Sequence, residues 1–89
     1  MGERDCVRVL FEGTTFRFYF DNDRTAELHI AQYGVGVEDA LETFVEGERA
    51  WDADHERWVS RTKTHVLYWA WYGGEERGEV VVISCRETE

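Results

Sequence analysis

The sequence predicts a single α+β domain: an antiparallel sheet of about five strands with two short helices packed on one face, in the order β-β-α-α-β-β-β. Three observations point there. Period-two alternation runs through residues 15–20, with Phe16, Phe18 and Phe20 on one side and Arg17 and Tyr19 on the other. Helical spacing takes over at Val37, Ala40, Leu41, Phe44 and Val45. Two late segments, residues 66–72 and 80–85, are apolar on both alternations, as strands in the middle of a sheet are.

The elements follow in order. Residues 6–11 and 15–20 alternate and are joined by Glu12-Gly13-Thr14, a hairpin signal. Asp21, Asn22 and Asp23 are candidate caps for a first helix, in which Ala26, His29, Ile30 and Tyr33 fall at i, i+3, i+4 and i+7 before Gly34 stops it. The second helix sets Glu38, Asp39, Glu42 and Glu46 opposite its apolar face, and Gly47 ends it. From residue 49 to 62 the pattern loosens: Ala50-Trp51 and Trp58-Val59 are short apolar pieces around a polar link at 52–56. Glycines 73, 74 and 78 punctuate the turn between the last two strands.

Composition sets the bounds. Eighty-nine residues supply one core, and 43% apolar with 15% aromatic residues is enough to fill it, so disorder is excluded. No run approaches the roughly 20 apolar residues of a membrane span, and no basic-then-apolar leader opens the chain. Two cysteines at opposite ends, Cys6 and Cys85, read as free thiols in a reducing compartment, and the expected location is cytoplasmic. The formal charge is −9, from 19 acidic and 10 basic residues, nine of the latter arginine. Such a balance repels nucleic acid and anionic membrane at long range and favours a basic partner.

No nucleotide loop, zinc spacing or nucleophile elbow is present. Asp52-Ala53-Asp54-His55-Glu56 begins like a calcium loop, but Arg57 stands at the sixth position and Lys63 at the twelfth, so neither metal nor cofactor is expected. Arg57, Arg61, Lys63 and Arg86 are the concentrated positive charge of the second half, and His65 opens a strand beside Arg61, Thr62 and Lys63. These cations either neutralise the acidic segment or contact phosphate, for which arginine forks are well shaped. Residues 38–56 hold eight carboxylates against Arg49 alone. Glu38, Glu42 and Glu46 recur every fourth residue, about 6 Å apart along a helix, as a solvated face or one aimed at a cationic partner. Trp51, Trp58, Trp69 and Trp71 exceed the needs of a small core and suggest a partner face.

From Phe20 onward the chain resembles the BrnT family, small toxins of toxin–antitoxin pairs with a RelE-like ribonuclease fold. The likeness rests on Phe20-Asp21-Asn22-Asp23, on His29-Ile30-Ala31-Gln32-Tyr33-Gly34-Val35 followed by Glu38-Asp39-Ala40-Leu41-Glu42-Thr43-Phe44, and on residues 82–89. The resemblance implies RNA cleavage without metal, a cognate antitoxin as partner, and a site drawn from His29, Arg57, Arg61, Thr62 and Arg86. His65, opening its strand beside them, is a further catalytic candidate on its own acid–base chemistry. The chain departs from the family pattern at Tyr33, Ser60 and His65-Val66. A second reading fits the charge: an acidic, non-enzymatic inhibitor, such as a phage anti-CRISPR protein, mimicking nucleic acid. It would occupy a basic surface with Glu38, Glu42, Glu46, Asp52, Asp54, Trp69 and Trp71. A third is a homodimer joined through an open aromatic sheet face.

Overall fold

The computed structural model describes residues 6–22 and 27–88. The strands are β1 (Cys6–Phe11), β2 (Thr14–Asn22), β3 (Glu27–Leu28), β4 (Glu48–Asp52), β5 (Arg57–Arg61), β6 (His65–Trp71) and β7 (Glu79–Glu87), with one α-helix, α1 (Val37–Glu46). Six strands form a mixed sheet in the order β1-β2-β7-β6-β5-β4, and the two-residue β3 is appended to β2. The expected fold class is right, and the sheet is larger and less uniform than expected. Neighbours pair antiparallel except β2 with β7, which run parallel because the opening hairpin docks against the last strand of the chain.

Two expectations need correction. The first of the two helices is a five-residue 3-10 turn, His29–Tyr33. Its intended first turn is spent elsewhere: Leu28 pairs with Phe20 as part of the sheet. Gly34 does end it, in the left-handed conformation (φ 74°) with its N–H donating to the Ala31 carbonyl. Asp21 and Asn22 are not caps but the end of β2, while Asp23 and Ala26 lie outside the described residues. The second correction concerns residues 49–62, read as two short apolar pieces around a polar link within a sheet of about five strands, which form the hairpin β4–β5. β4 is an edge strand whose Glu48 and Arg49 mask its alternation. Trp51 and Trp58 face one another across the hairpin, rings 5.2 Å apart.

The doubly apolar segments take central places, β6 between β5 and β7, and β7 between β6 and β2. One face of the sheet carries Phe16, Phe18, Leu67, Trp69, Val80, Val82 and Cys85, all buried, and receives Ala40 and Leu41 of α1 with Ile30 and Val35. Phe44 meets Phe16 and Trp69 edge-on, with centroids 4.9 and 4.8 Å apart. Trp69 is fully buried and donates its indole N–H to the Ser60 hydroxyl at 2.9 Å, so the largest core side chain leaves no polar atom unpaired. Arg49 covers this cluster, its guanidinium 4.7 Å from the Trp69 ring and 5.1 Å from Phe44. The free thiols Cys6 and Cys85 sit on strands separated by β2.

Candidate functional site

Pleating sends alternate residues to the face opposite α1. Arg57, Val59 and Arg61 of β5 lie beside Val66 and Tyr68 of β6, and these beside Ser84 and Arg86 of β7. The registers Arg61↔Val66↔Arg86 and Val59↔Tyr68↔Ser84 make two adjoining cross-strand rows. Tyr68 takes the Arg57 guanidinium 4.1 Å from its ring centre and that of Arg86 at 5.9 Å. Arg86 also lies 5.1 Å from the ring of Tyr33, which meets His29 edge-on at 5.9 Å. His29, Tyr33, Arg86, Tyr68 and Arg57 therefore form a continuous chain of rings and guanidiniums. Tyr33 is 39% exposed, so the chain opens to solvent. In the Tyr68 row the Ser84 hydroxyl is buried with no hydrogen-bond partner among the described residues.

The same face continues into a second cluster. Arg17 is buried, stacked 3.8 Å from the Tyr72 ring and hydrogen-bonded to Glu79. That hydrogen bond holds the Glu79 carboxyl below its ordinary range against the opposing effect of burial. It also raises the Arg17 guanidinium above its usual value, with help from Tyr19. Arg77 approaches Tyr72 from outside at 5.7 Å. Burial by itself would raise Asp52, but hydrogen bonds from Arg57 and His55 outweigh it and keep the carboxyl low.

Of the residues singled out from sequence, His29, Arg57 and Arg86 come together, with Arg61 in their row. Thr62 and His65 do not join them. The Thr62 hydroxyl accepts the backbone N–H groups of Thr64 and His65 and so shapes the β5–β6 turn. His65 points to the α1 side, its Nδ1 2.9 Å from the Thr64 hydroxyl and its Nε2 4.0 Å from Asp39. Both line a cleft of about 650 Å³ shared with four carboxylates, Asp39, Glu42, Glu46 and Glu48, and with Lys63. The strand end carrying Arg61 also borders this cleft.

Of the proposed partner-binding residues, Glu38, Glu42 and Glu46 are exposed on α1 and Asp54 in the β4–β5 turn, while Asp52 is engaged by Arg57. Trp69 is unavailable to any partner because it is wholly buried, and Trp71 is half-buried against it at 5.1 Å. All four tryptophans lie on the α1 side, so the aromatic surface of the opposite face is made of tyrosines. Tyr68 and Ser84 were not among the site residues expected from sequence, and Tyr33 was noted there only for its helical spacing and as a departure from the family pattern. The alternation of residues 66–72 puts Tyr68 on a face, but only the register of β5, β6 and β7 brings it under two arginines. Among the described residues, no group of three His, Cys, Asp or Glu side chains is arranged to hold a metal ion.

No protein-family model, curated protein or solved structure matches the chain.

Proposed function

We propose that the protein is a BrnT-like, RelE-fold toxin, an endoribonuclease that works on the tyrosine–arginine face of its sheet and is restrained by a protein antitoxin. The observation that carries this reading is the pair of guanidiniums, Arg57 and Arg86, on the two sides of Tyr68. Guanidiniums grip phosphate oxygens with paired hydrogen bonds, and exposed rings beside them offer stacking surfaces to unpaired bases. RNA would lie across β5, β6 and β7 with a phosphate between Arg86, Arg61 and Arg57. The ribose 2′-oxygen forms a bond to phosphorus as the bond to the 5′-oxygen breaks. His29 takes the 2′ proton, the leaving 5′-oxygen takes a proton from solvent water, and a 2′,3′-cyclic phosphate remains. Charge building on the phosphoryl oxygens is met by the arginines.

The alternative reading as a nucleic-acid mimic draws support from the exposed Glu38, Glu42 and Glu46. It leaves the arginine–tyrosine face without a role, which favours the ribonuclease.

The test is incubation of purified protein with single-stranded RNA and its 2′-deoxy counterpart. Cleavage of RNA alone to cyclic-phosphate ends is expected, reduced on the order of a hundredfold or more in Arg57→Ala, Arg86→Ala and His29→Ala. Absence of cleavage at every salt concentration overturns the proposal.

A further inference from the structure

Between α1 and the tip of the β1–β2 hairpin runs a groove of about 310 Å³. Phe11, Leu41 and Val45 supply its apolar surface, and Glu12, Glu38, Glu42 and Glu46 its charge. Among the described residues, no basic side chain lines it. Two of its apolar residues are left open to water: Val45 is 48% exposed and Phe11 36%. By its spacing Val45 belongs to the apolar face of α1, yet it stays exposed while Ala40 and Leu41 are buried and Phe44 packs on Phe16 and Trp69. Uncovered apolar area costs about 25 cal/mol for each Å², a penalty that burial under a partner relieves.

We infer that this groove docks a cationic amphipathic helix belonging to a partner protein. The carboxylates fix the sign of the occupant's charge, and their period fixes its form. Glu38, Glu42 and Glu46 stand one helical turn apart, at about 6 Å intervals, and a helix laid along α1 offers lysines or arginines at the same interval. The apolar side chains of that helix, three or four residues apart, enter between Phe11 and Val45. A second copy of this chain meeting it groove to groove is a poor occupant, since both surfaces would carry the same sign. The inference is independent of RNA cleavage, because none of the residues on the tyrosine–arginine face takes part.

The probe is a synthetic peptide of leucine and lysine, about five turns long, with all leucines on one helical face. A control peptide has the same composition scrambled to remove that face. Binding to the full chain is followed by NMR shifts and titration at about 0.15 M salt. The amphipathic peptide is expected to perturb Phe11, Leu41 and Val45 and to bind at least about tenfold tighter than the scrambled one. Val45→Asp is decisive. It adds negative charge, so attraction by charge alone would strengthen, whereas groove docking weakens by about tenfold or more. Glu42→Lys with Glu46→Lys should also abolish binding, while Arg57→Ala and Arg86→Ala bind the peptide as the parent does. Equal affinity for both peptides, shifts confined to other surfaces, or Val45→Asp binding as tightly as the parent overturns the inference.

Discussion

Arg17 and Glu79 illustrate how single residues stabilise a face that α1 does not cover. The guanidinium lies between the Tyr72 ring and the Glu79 carboxylate, so a charge in the interior of the sheet has both a counter-ion and a stacking partner. The consequence for acid stability has a definite sign. Glu79 keeps its charge to lower pH in the folded protein than in the unfolded chain, where its value is the ordinary 4.5. Its contribution is complete above that value and is lost as pH falls through the depressed folded value. Asp52, held low chiefly by Arg57, behaves in the same direction from its ordinary 3.8. Glu79→Gln is therefore expected to flatten the decline of the denaturant midpoint measured between about pH 5 and pH 1, and to lower stability at neutral pH. Cys85 has the opposite displacement: burial, then the Asp39 charge, push its thiol up to about 11, so it stays protonated and unreactive at neutral pH.

Among the elements, α1 was the most legible, because three of its features agree: apolar spacing, acidic residues at its start and a glycine at its end. Its faces were read with less accuracy. Asp39, expected with the outward carboxylates, turns back to accept the Gly36 N–H at 3.0 Å, and Thr43 takes a buried place by donating its hydroxyl to the Asp39 carbonyl. Gly47 serves a second purpose besides stopping the helix. Its φ of −75° suits any residue, but a side chain there would sit 2.5 Å from the Thr43 carbonyl and 2.9 Å from the Arg61 amide nitrogen. Gly47→Ala should thus cost about 1–3 kcal/mol of unfolding free energy by forcing α1 off the end of β5, measurable by chemical denaturation. The β4–β5 hairpin escaped notice because an edge strand need not alternate cleanly: the inward Arg49 lays its guanidinium over the Phe44 and Trp69 rings while staying exposed.

Over the whole molecule, charge is divided by the sheet. Glu38, Glu42 and Glu46 lie on the α1 side with Arg49, while Arg8, Arg17, Arg57, Arg61 and Arg86 fall on the opposite face by strand register, where Glu79 and Asp52 pair with Arg17 and Arg57. On the proposed ribonuclease reading, a net −9 molecule repels RNA from afar and holds it at a local cationic face. RNA association is therefore expected to quicken as salt rises from about 0.01 to 0.15 M, since the screening length shortens from about 30 to 8 Å. Dissociation should quicken as well, because phosphate contacts weaken with salt. Stopped-flow measurement separates the two rates, and an association rate that falls monotonically would contradict this division of charge. Sequence by itself determined the α+β class, α1, the central strands and the acidic stripe, since each is written in the spacing of adjacent residues. The parallel docking of β2 on β7, the burial of Trp69 and the meeting of Arg57 and Arg86 at Tyr68 were decided only by the tertiary structure. They depend on which strands become neighbours and in what register, and that choice is made by packing between segments far apart in the chain.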